Sequence, residues 1–321
     1  MIKRIIVVIL SGIVLLCTAA CSGINAPAIE NENKIIESNT KEEVTFIQGT
    51  SIQESSTQEP SIQEVVQKTL MNDLGMTLSE RVSTPEGYAR TDAQAGSLTE
   101  FLRNYPLKEA GAEVLLYNTM PKGNQDAHVA VFALPIEEYD LQQCADSIMR
   151  VYAEYFWSSG QYDKIAFHFT NGFLAEYTKW RDGYRIEVDG NNVFWSKTAS
   201  YDDSYECFVK YMKMVFTYAG TLSMETEANQ IELDDIQVGD VFLYGASPGH
   251  VVLIVDVCVD ENGQKAFLLG QGYMPAQEFH LLKNPMHEEN PWYYENEIEY
   301  PLQTPEYTFG EGTLKRLEYG T

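Results

Sequence analysis

The stretch Leu233–Tyr273, LDDIQVGDVFLYGASPGHVVLIVDVCVDENGQKAFLLGQGY, reads as three consecutive strands. Val241–Tyr244 is a short apolar strand launched by Gly239-Asp240, and Gly245–Gly249 is a turn made of residues that turns prefer. His250–Val257 is a β-branched run, Asn262-Gly263 is a strong hairpin signal, and Ala266–Leu269 is the return strand. Apolar residues occupy both faces of these strands, which predicts the middle of a core. His250 stands at the mouth of it, directly after a glycine, and Gln271 appears where the apolar run ends. That placement suits a general base and its orienting partner.

Two amphipathic helices precede this stretch. The first is predicted over Asp140–Phe156, with Asp140 and Gln143 as a capping box and Leu141, Ala145, Ile148, Met149, Tyr152 and Phe156 as its apolar stripe. Cys144 falls in its first turn, where the positive end of the helix dipole favours a thiolate; a packed core cysteine is the equally weighted alternative. The second helix is predicted over Asp203–Ala219, with Asp203 and Glu206 as its capping box and Gly220 as its stop. Cys207 lies in its first turn, off the centre of the stripe.

Weaker signals fill in the rest. Short helices are expected over Gln63–Leu74, Ser97–Asn104 (Ser97 as cap, Glu100 completing the box) and Phe173–Arg181. Strands are expected over Glu113–Tyr117, His128–Leu134 and Lys164–Phe169, and a hairpin over Gly183–Ser196. His128 reads as a strand-end residue, Trp180 as core, and Arg181 and Arg185 as partners of the acidic surplus. The expected fold is α+β: an antiparallel sheet containing the 241–271 strands, with the capped helices packed on one side.

The N-terminus points to export. Lys3 and Arg4 precede an apolar run, Ile5–Cys17, that is too short to span a membrane as a helix, and Thr18-Ala19-Ala20-Cys21 follows. This resembles the lipobox of bacterial lipoproteins, which implies a signal peptide over 1–20, a lipid anchor on Cys21 and an extracytoplasmic location on the bacterial membrane. Residues 21–62 are rich in Glu, Gln, Ser, Thr and Asn, the composition of a disordered tether. Residues 63–321 suit one globular domain, since no Pro, Gly or Ser-rich spacer divides them.

Composition excludes several classes. The formal charge is −25, and −27 once Lys3 and Arg4 are removed, so nucleic acid and other polyanions are unsuitable partners. Beyond Cys21 the cysteines are Cys144, Cys207 and Cys258, an odd number that makes no disulfide framework. The sequence has no HExxH, HxxxH or CxxC spacing and no GxGxxG or GxxxxGK[ST] motif, so neither a dedicated metal site nor a nucleotide cofactor is expected.

Two family resemblances emerge. Asp140-Leu-Gln-Gln-Cys-Ala-Asp146, Val215-Phe-Thr-Tyr-Ala-Gly-Thr221, Gly239-Asp-Val-Phe242, Pro248-Gly-His250 and Gln271-Gly-Tyr-Met-Pro-Ala-Gln277 resemble domain-of-unknown-function family 4846, bacterial exported proteins, over about 81–317. That resemblance implies no settled activity. Over about 203–271, a helix, a Leu-x-x-Ile-x-x-Gly-Asp strand and a Gly-His strand with its hairpin partner are similar to the NlpC/P60 branch of papain-like cysteine hydrolases. This implies a fold papain-like in part and cleavage of amide bonds in cell-wall peptides. His250 matches that family's histidine, but Tyr205 stands where its nucleophile lies, two residues before Cys207. The nucleophile is then Cys144 from the other helix, with Cys207 in reserve, or the scaffold persists without the chemistry.

In such a site a thiolate attacks a carbonyl, an imidazole manages the proton, and a side-chain amide fixes the imidazole tautomer. A two-residue turn at Asn262-Gly263 sets Gln271 opposite Ile254, about 13 Å along the strand from His250, and Pro275 opposite His250 itself. A bulge or strong twist is needed to bring Gln271 to the ring, and Gln277 is the other amide in range. The competing expectation is a surface lipoprotein that binds an envelope peptide, glycan or protein without turnover, using some of its 38 aromatic residues. The hydrolase reading requires His250 to reach Cys144 or Cys207.

Overall fold

The 233–273 stretch forms the centre of a nine-stranded sheet in the computed structural model of the chain, which describes residues 69–319. Across the sheet the order is His128–Val131, His280–Leu282, Lys265–Gln271, His250–Asp260, Val241–Tyr244, Leu314–Leu317 and Ala228–Gln230. Tyr88–Arg90 adds to the far end of the long strand 250–260, and Tyr293–Tyr294 to the start of the return strand 265–271. These strands pair antiparallel throughout. The chain is thus mixed α/β, mostly antiparallel sheet with few helices.

Alternation along the long strand explains why its sequence is apolar without a break. Val251, Leu253 and Val255 join the larger core, which holds the helices, whereas Val252, Ile254 and Val257 join a second core with Phe242, Phe267 and Phe309. All six are fully or almost fully buried, each contributing roughly 1.5–3 kcal/mol over an exposed position. His250 has the parity of Val252 and Ile254 and faces the second core.

The pairing of the long and return strands departs from the expected register twice. Asp260 N–H donates to Gln264 O, and Lys265 pairs with Val259, so the hairpin loop has three residues, Glu261-Asn262-Gly263. Gly263 takes φ 86°, the left-handed conformation that closes such a loop. A bulge then follows: Leu268 pairs with Asp256 but Leu269 with Ile254, leaving Val255 as the extra residue. Each step shifts the return strand by one. Continued past Gly270–Leu253, that register sets Gln271 across from Val252, two residues from His250 rather than four.

The first large helix runs Cys144–Ser158, not from Asp140. Gln143 is its cap, and Asp146 Oδ2 accepts the Gln143 N–H at 3.1 Å. Asp140 is unavailable for capping because its Oδ1 accepts from the Ala276 amide at 2.7 Å and Gln143 Nε2 at 3.0 Å. The second helix, Tyr205–Tyr218, is capped by Ser204, whose hydroxyl accepts the Cys207 N–H at 3.2 Å; Asp203 takes the Tyr201 hydroxyl instead. The predicted cap at Ser97 is present, accepting Glu100 N–H at 3.2 Å.

Smaller expectations fared unevenly. Leu174–Glu176 is a strand paired with Ala166–His168, and helix resumes over Tyr177–Arg181. The 184–197 hairpin forms as expected. Residues 113–117 form isolated bridges rather than a strand, and 69–74 are not helical, Met71 bridging to Val82 instead. The expected signal peptide, the expected lipid-anchor residue Cys21 and the expected tether lie outside the described residues. No helix among the described residues is long and apolar enough to cross a membrane.

Candidate active site

His250 is fixed by what precedes it. At Gly249 a side chain is impossible, because a Cβ would come within 2.4 Å of both Thr221 Oγ1 and Tyr244 O. Thr221 also donates to Ala246 O at 2.9 Å, tying the 245–249 turn to the short helix Thr221–Thr226. The chain therefore enters the long strand along one path. The imidazole is 2% exposed, lies between the rings of Tyr273 (4.6 Å) and Tyr307 (4.7 Å), and stacks on Phe309.

Gln271 reaches it. Its Oε1 is 2.9 Å from His250 Nε2, a contact made possible by the two register shifts. On its other side Gln271 Nε2 donates to Glu306 Oε2 at 2.8 Å, and Lys122 Nζ lies 2.5 Å from the same oxygen. Burial pushes the His250 imidazole down to about 4, against the Gln271 hydrogen bond and the Glu306 charge, so the ring is neutral at pH 7. Its Nδ1 makes no hydrogen bond among the described residues.

Cys144 is the first residue of its helix and borders an open cleft of about 320 Å³ whose lining includes Gln143, Thr221, Gly249 and Met274. The amides of Ala145, Cys144 and Val251 favour a negative sulfur, and Val251 directly follows His250. Burial and the Asp146 charge outweigh them and push the thiol up to about 11. The helix dipole therefore does not produce a resting thiolate, because a 6% exposed sulfur loses more hydration than three amides return. Tyr273 and Tyr307, the rings flanking His250, are raised mainly by burial, and both also feel the Cys144 charge. The structure brings Gln271 to His250, but no hydrogen bond joins His250 to Cys144, which packs in the core on the other face of the long strand.

The other candidates lie elsewhere. Cys207 is 1% exposed in the core near Trp180 and Arg185, and burial raises its thiol. Cys258 sits mid-sheet opposite Ala266 and is pushed by burial up to about 12. Gln277 turns back to donate to Pro275 O at 3.1 Å and is not an orienter of His250. His128 contacts Ala112 O at 3.0 Å and the His280 ring. Trp180 is core, but Arg185 stacks on it at 4.5 Å and Arg181 on Tyr162 and Tyr201, where acidic partners were expected.

Sequence reasoning missed Tyr273, Tyr307, Glu306, Lys122 and His280. Tyr273 closely follows Gln271 and was open to discovery on that ground. Lys122 and Glu306 are 184 residues apart and carry no local signal of their pairing. Among the described residues no group of three or more His, Cys, Asp or Glu side chains is placed to hold a metal ion.

A profile of the family described as "Domain of unknown function (4846)" matches residues 78–316. No curated protein and no solved structure matches the chain.

Proposed function

The chain belongs to domain-of-unknown-function family 4846, and from its site we propose that it is an exported, lipid-anchored cysteine hydrolase of amide bonds in the cell envelope. Cys144 is the nucleophile, His250 the base and Gln271 the orienting residue. The observation that carries this reading is the 2.9 Å contact between Gln271 Oε1 and His250 Nε2, which leaves Nδ1 as the ring nitrogen to take a proton; the next residue's amide, Val251, lies against the Cys144 thiol. The papain-like part of the reading rests on the same three residues. Cys207 is set aside as a core residue.

In the proposed reaction the Cys144 thiol passes its proton to His250 Nδ1 and the sulfur adds to the substrate carbonyl. The tetrahedral oxyanion forms at the helix N-terminus, where backbone N–H groups are unpaired within the helix. Its collapse expels the amine, which takes the proton back from the imidazolium, and water then cleaves the thioester to return the thiol. A thiol at about 11 and an imidazole at about 4 form no ion pair at rest, so proton transfer belongs to the substrate complex. Asp140 lines the cleft and no basic side chain does, which favours neutral or cationic peptides over anionic ones; Asp146 also lines it, but burial pushes its carboxyl up to about 8.

A second reading has its own support. Phe101, Tyr105 and Tyr155 cluster at 5.2 and 5.5 Å beside an open groove of about 440 Å³ distant in sequence from Cys144 and His250, a surface suited to stacking on sugars or peptides without turnover. The deciding experiment incubates the mature protein with envelope peptides and follows amine release by mass spectrometry. Release that disappears in Cys144→Ala and persists in Cys207→Ala supports the hydrolase; release that survives Cys144→Ala removes Cys144 as nucleophile, and no release at all leaves the binding lipoprotein. Anchoring is tested separately, since Cys21→Ser should free the protein from membranes.

A further inference from the structure

We propose that Glu306, held by Lys122, is a positioning residue that locks the Gln271 amide and thereby keeps His250 in the tautomer whose Nδ1 is free to take a proton. The proposal rests on the hydrolase reading, but its central measurement does not need turnover.

A glutamine amide fits its site almost equally well in two orientations, so its partners decide which is adopted. An ionised carboxylate only accepts hydrogen bonds. With Glu306 Oε2 at 2.8 Å, the Gln271 NH2 must face Glu306, and Oε1 is turned to His250. An acceptor oxygen 2.9 Å from Nε2 requires a proton on Nε2, which strips Nδ1 of its own. The direction of the whole chain therefore originates at Glu306.

Glu306 must stay ionised for this to hold. Burial alone would raise its carboxyl, but the cation of Lys122 beside it holds it below the ordinary carboxylate range. Lys122 dominates on distance, at 2.5 Å against 3.9 Å for His280 Nε2. His280 is itself committed: its Nδ1 donates to Glu278 O at 2.8 Å, leaving Nε2 to accept from Lys122 Nζ at 3.3 Å and, weakly, from Gln271 Nε2 at 3.4 Å. Burial lowers the His280 imidazole, consistent with a neutral ring in that role. The groups facing His250 are thus Gln271, Glu306, His280 and the phenols of Tyr273 and Tyr307; His280 Nε2 supports the same amide direction at the longer 3.4 Å, and Glu306 at 2.8 Å is the stronger acceptor. Glu306→Gln is nearly isosteric but offers both a donor and an acceptor, so the Gln271 amide can turn over and demand a bare Nε2.

The test is a long-range proton–nitrogen NMR correlation on the mature protein labelled with 15N-histidine, with His250 assigned by comparison with His250→Ala. The wild type should show His250 protonated at Nε2 and bare at Nδ1. Glu306→Gln should give a mixed or reversed pattern, and Glu306→Asp should recover the wild-type one. Should Glu306→Gln fail to fold, Lys122→Met serves: without its cation Glu306 protonates at higher pH, and the His250 pattern should become pH-dependent above the acid range in which His250 itself protonates, where the wild type is constant. A His250 pattern unchanged in folded Glu306→Gln, or constant with pH in Lys122→Met, overturns the lock. Where amide hydrolysis is measurable, Glu306→Gln should lower kcat by up to roughly 10⁴-fold with little change in KM, the loss a wrong tautomer causes in a serine triad. An intact lock in a protein that hydrolyses nothing would defeat the hydrolase reading alone.

Discussion

The backbone of Gly272 lies directly against the side chain of Ser147. A Cβ built at Gly272 would come within 2.2 Å of the Ser147 hydroxyl and 3.0 Å of Gln143 O. The residue after Gln271 is therefore the seat of the Cys144 helix, and the close approach of the helix start to the sheet depends on there being no side chain at that point. Gly272→Ala should push the helix start away from the sheet at a cost of about 1–3 kcal/mol. In a domain of this size that lowers Tm by roughly 2–12 °C. Ser147→Gly in the same chain should restore part of the loss, because it removes the nearest two atoms. Thermal melts of the two single variants and the double one measure the coupling, and strict additivity would mean that the two residues do not press on each other.

A second prediction concerns Cys144 in alkali. Its thiol is raised by burial and by Asp146 from 9.0 to about 11, so iodoacetamide labelling of the folded protein should be slow at pH 7–8 and climb only toward pH 11. The unfolded chain loses its thiol proton near pH 9 while the folded chain keeps it, so stability falls as pH rises from 9 to 11. Cys144 alone accounts for about 2–3 kcal/mol of that loss. Rapid labelling at neutral pH in the folded state would contradict the buried environment and point to a thiolate already formed.

How far the sequence carried the site differs for its two halves. His250, Gln271 and Cys144 were legible because each is a polar residue at a boundary that local pattern defines: a strand start, a strand end and a helix start. Their distance was not legible. It depends on a third loop residue beside Gly263 and on the bulge at Val255, neither of which interrupts the β-branched run. The caps were misread for a related reason. Asp140 and Asp203 are as good at capping as Gln143 and Ser204, and the choice was made by partners such as Ala276 and Tyr201. Nothing near Gln271 in sequence announces Glu306 or Lys122.

Asp256 offers a stability test away from the cleft. Its carboxylate is fully buried on the long strand and receives Arg90 Nε at 2.6 Å and Arg103 Nε at 2.7 Å. Arg103 also donates to Thr91 O and Val257 O, so the pair staples the short helix Leu98–Arg103 to the sheet. Removing one member of a buried ion pair typically costs 3–5 kcal/mol, because the remaining charges keep their desolvation penalty. Asp256→Ala should fall in that range by denaturant titration, with two guanidinium groups left facing an apolar gap. A cost below about 1 kcal/mol would mean that water enters and that the triad is not dry.

The last prediction separates His250 from every other acid-sensitive group. Burial depresses its imidazole from 6.5 to about 4 in the folded chain, whereas the unfolded chain keeps the ordinary value. Between those values the unfolded state binds the proton first, so the contribution of His250 is fully present above pH 6.5 and is lost as pH falls toward 4. The interval corresponds to about 3 kcal/mol. Other carboxylates and histidines titrate in the same window, so a single stability curve against pH cannot be apportioned. The difference between wild type and His250→Gln can, because the shared groups cancel and the variant has no titrating ring. That difference should be largest near pH 7 and shrink by about 3 kcal/mol by pH 4. The same depressed value predicts that any acid limb in the pH profile of amide hydrolysis lies nearer 4 than 6.5, since the neutral ring is the one able to accept the thiol proton. A stability difference that stays flat from pH 7 to 4 would show that the imidazole is hydrated in the folded protein. The rings of Tyr273, Tyr307 and Phe309 would then not enclose it as the structure shows.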